Sequence, residues 1–340
     1  MKNIKNSNKP SFFKKIFIKL SRKLGYEIID QNNYEIVSSN KKIGENLSSL
    51  GLKSINLPLG EIKITRKVNV LDIIIRTCAS VNMLTQNKSR LFEREKIEYT
   101  IRTIKSLLNS AKDPLLEKLN INFIVIDHNS SDENLNEIDN IFKKFDKKYK
   151  LINLNVSKFT NNMEKINQRG EKVTNNQMSN MANIYQSLLE AKKCEDLIYF
   201  VEDDYLHKRE SLKEMVFTYE RVASQINDEI ILCPTDYPYL YTKPEITQNF
   251  LGQNYHWRKI NETLCTFLTS KKIIEKHWKK YVSMCEKEHA PFEKPLHDIY
   301  ESELCISPIP SLAIHLTNIN SIYGLSPNVN WKKIWDENEN

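Results

Sequence analysis

Residues 196–204 read DLIYFVEDD, an apolar run from Leu197 to Val201 that ends in three consecutive acids, Glu202, Asp203 and Asp204. A run this short, apolar at every position and rich in β-formers, predicts a strand buried on both faces. It must stop where the acids begin, because burying unpaired charge is costly. The stretch therefore reads as an inner strand of a sheet that delivers three carboxylates to the sheet's carboxyl edge.

On either side of this stretch the same pattern recurs. Residues 68–77 (VNVLDIIIRT) and 121–127 (INFIVID) are apolar, β-branched runs, and the second ends in Asp127. Shorter strands are expected at 150–155 and 229–233. Between them lie helix-spaced segments at 94–110, 131–146, 176–193 and 208–226, with Ser131 or Asp132 able to cap the second. This alternation predicts an α/β fold, a mostly parallel sheet with helices on both faces. Ligands of such sheets bind outside the carboxyl ends of the strands. Asp127 and Glu202-Asp203-Asp204 converge there.

The chain has 340 residues, 50 Lys+Arg and 43 Asp+Glu. Eight of the basic residues fall within the first 25 positions, where no acid occurs. The remainder is close to neutral, which excludes a body coated in positive charge for nucleic acid. Seven glycines, none between 76 and 90, argue against a Gly-rich phosphate loop. Six scattered cysteines without a C-x-x-C pair argue against structural zinc and a disulfide framework, and suit a reducing cytosol. No apolar run reaches the roughly 18 residues of a spanning helix.

Residues 11–25 (SFFKKIFIKLSRKLG) place Phe13, Ile16, Phe17, Leu20 and Leu24 at helical spacing, with lysines and arginine mostly between them. Ser11 and Gly25 suit the two ends of a basic amphipathic helix. Two readings stand: a helix lying on an anionic membrane surface, or one docked on the body. Residues 26–65 read as a connector, 66–320 as the main domain and 321–340 as a tail that docks on the body or on the arm.

Glu202 and Asp204, one residue apart in an extended chain, suit a hard divalent cation such as Mn²⁺ or Mg²⁺. Such an ion would also neutralise a diphosphate. The loop CPTDYPYLY (233–241), with Asp236 and Tyr237, and the segment around Trp257 and Arg258 offer aromatic faces and a phosphate-seeking guanidinium for an acceptor.

With these residues in view, the body resembles a GT-A glycosyltransferase of the inverting family 2 kind. LDIIIRT (71–77), IDHNSSD (126–132), MANIYQSLLEAKKC (181–194) and DLIYFVEDD (196–204) occur in that family's order, with Glu202 where the pattern has Asp. The resemblance implies a nucleotide-sugar donor and a glycan or lipid-linked glycan acceptor. It implies donor contacts at Arg76, Thr77, Asp127, Asn183 and Asp203, the last shaping the turn. It implies Glu202 and Asp204 on the metal, with His315 either a further ligand or structural. It implies a late acid as base, Asp298 first and Glu301 second. Other readings are a sugar nucleotidyltransferase and a non-catalytic glycan or membrane-surface binder on the same fold.

Overall fold

The computed structural model describes residues 12–26, 62–80, 90–242 and 246–339. They divide into two compact units, residues 1–62 and 63–340. In the first, α1 (Phe12–Lys23) is a helix that ends at Gly25, whose φ of 85° lies in the left-handed region. Ser11, its expected cap, lies outside the described residues. Phe12, Phe13, Ile16, Phe17, Leu20 and Leu24 are all exposed on it.

The second unit runs β1 (Val70–Thr77), α2 (Lys96–Ser110), β2 (Asn120–Asp127), α3 (Asp132–Lys144), β3 (Tyr149–Asn153), α4 (Asn175–Ala191) and β4 (Leu197–Glu202). Then follow β5 (Tyr205–His207), α5 (Ser211–Ile226), β6 (Ile231–Leu232), β7 (Asn249–Leu251), β8 (His256–Lys259) and β9 (Phe267–Ser270). The last elements are α6 (Lys271–Lys276), α7 (Trp278–Glu286), α8 (Lys294–Tyr300), β10 (Cys305–Ile309), β11 (Ala313–His315) and α9 (Trp331–Glu337).

Among the described residues nine strands form one sheet in the order β3-β2-β1-β4-β9-β6-β10-β8-β7, and β5 pairs with β11 beside it. β3, β2, β1 and β4 are parallel neighbours, as the sequence predicts. β9 lies antiparallel between β4 and β6, so the second half of the sheet is mixed. This is a GT-A, Rossmann-like α/β arrangement.

The pleat explains the uninterrupted apolar strands. Ile73 and Ile75 face a core that holds Ile104, Leu107 and Leu108 of α2, Ile138 of α3 and Tyr219 of α5. Ile74, between them, faces the other core with Leu188 of α4, Tyr281 of α7 and Ile299 of α8. A strand covered by helices on both sides has no polar face to show. Helix starts follow local chemistry: Ser131 Oγ accepts from Asn134 N at 3.2 Å, and Thr174 Oγ1 from Gln177 N at 3.1 Å.

Some expectations change. The helix expected from 208 starts at Ser211, because Tyr205–His207 extends as β5 against β11. The tail docks on the body: the Trp335 ring lies 5.4 Å from that of Tyr99, under the Arg102 guanidinium at 4.2 Å, and its carbonyl accepts from Arg102 Nη1. Cys194, Cys233, Cys265, Cys285 and Cys305 are buried free thiols. Among the described residues no helix is long and apolar enough to cross a membrane.

Candidate functional site

The parallel register brings the strand ends level. Arg76 at the end of β1 stands opposite Glu202 of β4, and Thr77 opposite Asp127 of β2. Beyond them opens a cavity of about 320 Å³. Its lining includes Arg76, Thr77, Arg90, Lys96, Asn180, Asn183, Glu202, Asp203, Asp204, Glu288, Glu293 and His315.

Each acid of the triplet meets a different basic group. Arg76 Nη2 lies 2.9 Å from Glu202 Oε1, while its Nη1 donates to Asn180 Oδ1 at 2.9 Å. Lys96 Nζ donates to Asp203 Oδ1. Asp203 Oδ2 also accepts from Thr100 Oγ1 at 3.0 Å and from Cys78 N at 3.2 Å. Asp203 thus ties the end of β1, α2 and the end of β4 together. Burial opposes the Lys96 ammonium, but the Asp203 carboxylate, followed by Asp204, outweighs it and holds the lysine above its usual pKa.

Asp204 Oδ2 lies 3.4 Å from His315 Nε2, and His315 Nδ1 bonds the Tyr323 carbonyl at 2.9 Å. The carbonyl fixes that nitrogen as a donor and leaves Nε2 facing Asp204. The imidazole stacks on the Tyr205 ring with centroids 4.9 Å apart. β5 and β11 hold this geometry, for His315 pairs with Tyr205 in their ladder.

A separation of 3.4 Å between these two atoms is also what two ligands have when each sits about 2.1 Å from one ion. Glu202 is a third donor, through oxygen, on the same wall. Among the described residues no three His, Cys, Asp or Glu side chains form a group that could hold a metal ion. An open pair of protein ligands is the arrangement expected for an ion shared with substrate phosphates. Asp204, His315 and Glu202 are side chains of the types that can hold a divalent cation.

Other expected site residues are placed differently. Asp127 is buried and receives Thr77 Oγ1 at 2.7 Å, Ser130 N at 3.0 Å and Ser130 Oγ at 2.6 Å. It braces the ends of β1 and β2 and is not among the residues lining the cavity. Trp257 is fully buried, its indole N–H directed at Glu214 Oε1 at 3.3 Å. Asp236 is buried with Arg258 as its ion-pair partner and accepts from Tyr241 at 2.5 Å. Tyr237 is buried and shares a 2.7 Å hydrogen bond with Tyr205. Asp298 pairs with Lys294 one turn earlier on α8, and Glu301 is exposed just after the helix. None of these six residues lines the cavity.

Its wall instead carries residues that the sequence did not single out. Lys96 opens α2, where a lysine reads as an ordinary surface residue; only contact with Asp203 distinguishes it. Arg90 bridges to Thr317 across the chain. Glu293 is the N-cap residue of α8, and with Glu288 it lines the cavity. Glu293 stands five residues before Asp298, at the helix start where a late acid is expected.

No protein-family model and no curated protein matches the chain by sequence. Among solved structures the chain is similar to S. aureus TarS, at 12% identity over 61% of this chain with a TM-score of 0.33. It is similar to galactosyltransferase LgtC in complex with donor and acceptor sugar analogs, at 15% identity over 62% of this chain with a TM-score of 0.35. It is similar to mouse xyloside xylosyltransferase 1, at 12% identity over 69% of this chain and 77% of that one, with a TM-score of 0.34. The chain spans 29% of the length of TarS and 64% of LgtC.

Proposed function

We propose that the chain is a glycosyltransferase that takes a sugar from a nucleotide-sugar and transfers it, with a divalent cation and inversion, to a hydroxyl of a glycan or lipid-linked glycan. The observation that carries this reading is the cavity at the carboxyl ends of β1 and β4, where Glu202, Asp203 and Asp204 face Arg76, Lys96 and His315.

The charge of that wall supports a cation. Five carboxylates line it against three Arg and Lys side chains. A diphosphate brings further negative charge and needs a positive counterpart. Mn²⁺ or Mg²⁺ would supply it by stabilising the departing diphosphate as a Lewis acid. Asp204, His315 and Glu202 would hold the ion. Arg76 and Lys96, fixed by their carboxylates, add positive charge beside the phosphates. In the transfer, the acceptor oxygen bonds the anomeric carbon as that carbon's bond to the diphosphate oxygen breaks, and the acceptor's proton passes to a carboxylate. Glu293, on the cavity wall at the start of α8, is the base on this reading.

We infer an anionic lipid surface as the partner of α1. Phe13 is 82% exposed, Phe17 59% and Leu20 56%, and they share one face with Ile16. Lys15, Lys19, Arg22 and Lys23 lie beside that face. An apolar stripe bordered by cations suits a helix lying in a membrane interface.

The test is thermal shift with UDP, GDP, dTDP and CMP, each with Mn²⁺ or with EDTA, followed by turnover of the matching nucleotide-sugars. A nucleotide that stabilises the chain with Mn²⁺, and does so less in Asp204→Asn, agrees with the proposal. No shift with any nucleotide removes it, and an equal shift in EDTA removes the metal.

A further inference from the structure

One wall of the cavity carries no charge. α4 turns Asn176, Gln177, Ser179, Asn180 and Asn183 toward it. Their spacing is that of one helical face, and the opposite face packs Met181, Ala182 and Leu188 into the core. Carboxamides both donate and accept hydrogen bonds, which suits hydroxyl-bearing ligands.

Asn183 is the deepest of the five, 5% exposed. Its Nδ2 donates to the Ile126 carbonyl at 3.2 Å, which settles which way the amide points. Its Oδ1 is buried and has no hydrogen-bond partner among the described residues. A buried acceptor without a donor is costly, and a ligand that supplies one removes the cost. Asn180 differs, because its Oδ1 is already taken by Arg76.

We propose that this face of α4 recognises an uncharged, hydroxyl-bearing part of the ligand, and that one of its hydroxyls donates to Asn183 Oδ1. The proposal rests on the nucleotide-sugar reading and adds to it the group that Asn183 selects. Two parts of such a ligand share this chemistry, the ribose and the transferred sugar.

Calorimetric titration with Mn²⁺ separates them. Wild type and Asn183→Ala are titrated with UDP, 2′-deoxy-UDP, UDP-glucose, UDP-galactose and UDP-N-acetylglucosamine, and with GDP, 2′-deoxy-GDP and GDP-mannose. If the ribose is read, the preference for the ribonucleotide over its deoxy form falls by about fivefold to tenfold in Asn183→Ala. If the sugar is read, that ratio holds and the preference for a nucleotide-sugar over its diphosphate falls instead. The circular dichroism and the ligand-free melting curve of Asn183→Ala report whether the helix itself is kept. Unchanged ratios in Asn183→Ala overturn the proposal, as does loss of diphosphate, deoxy-diphosphate and nucleotide-sugar binding by one common factor. Wild type that binds none of these compounds overturns the nucleotide-sugar reading itself, a distinct result.

Discussion

His315 Nε2 and Asp204 Oδ2 stand 3.4 Å apart in the cavity wall. Burial opposes the imidazolium, and the Asp204 carboxylate outweighs it, so the histidine is held above its ordinary pKa of 6.5. Burial likewise opposes the carboxylate, and His315 and then Lys96 hold Asp204 well below its ordinary 3.8. The pair joins β4's end to β11, which lies more than a hundred residues later in the chain.

That coupling gives stability a pH signature. The raised histidine contributes fully below pH 6.5 and loses its contribution as pH rises through its folded value. The lowered aspartate contributes fully above pH 3.8 and loses its contribution as pH falls through its folded value. The pair therefore stabilises most between these limits. The metal-free Tm should fall as pH rises above 6.5 through the histidine's folded value, and the part of that fall due to this pair should vanish in Asp204→Asn. Melting curves across that range check it, and an equally steep fall in the variant counts against the pair.

Lys96 and Asp203 are both buried. Lys96→Met leaves the carboxylate with Thr100 and the Cys78 amide but without its cation. Breaking a buried pair from one side should cost about 3–5 kcal/mol. Urea titration measures this, and the double change Lys96→Met with Asp203→Asn should recover part of the loss.

Gly252 closes the turn between β7 and β8 where nothing larger fits. A Cβ there would stand 2.4 Å from Trp257 Nε1, 2.5 Å from Thr218 Oγ1 and 2.6 Å from Glu214 Oε1. Glu214 accepts from the backbone N–H groups of Gln253, Asn254 and Tyr255, so it is not free to move aside. Gly252→Ala should destabilise the chain by about 1–3 kcal/mol in the same titration. A wild-type midpoint would show that the turn relaxes.

Glu293 lines the cavity, whereas Asp298 pairs with Lys294 away from it. Glu293→Gln should lower turnover about a hundredfold or more with donor affinity unchanged. Asp298→Asn should remain within about twofold of wild type, since an exposed ion pair contributes little. The reverse pattern would return the base to Asp298.

The exposed face of α1 should matter only at a lipid surface. Phe13→Ser with Phe17→Ser removes the burial of two aromatic rings, each contributing about 1.5–3 kcal/mol, and should abolish flotation with phosphatidylglycerol vesicles. Wild-type binding should weaken with salt and be poor on neutral phosphatidylcholine. Donor binding should persist in the double variant.

Residues 68–77, 121–127 and 196–202 are legible as inner strands because each contains an unbroken apolar run, Ile73–Ile75, Phe123–Ile126 and Leu197–Val201, and the structure covers both faces of each. The acidic triplet is legible at the strand end because charge cannot continue into that core. The bracing role of Asp127 is not legible, since it depends on register: Thr77 lies beside it only because β1 and β2 run parallel and in step. Trp257 reads from sequence as able to floor a sugar, and Arg258 as able to meet a phosphate. What holds the Trp257 indole inward is Glu214, on a helix 43 positions earlier.

The strands and helices up to β4, the largely parallel start of the sheet and the edge where carboxylates gather are written in the chain itself, since they follow from local hydrophobic period and the cost of buried charge. The partners of Glu202, Asp203 and Asp204 are not: Arg76 comes from β1, Lys96 from α2 and His315 from β11, and only folding brings them together. Periodicity along a chain carries information over a few residues. A charge pair inside a cavity is set by which distant elements pack together, and by distances that no local pattern encodes.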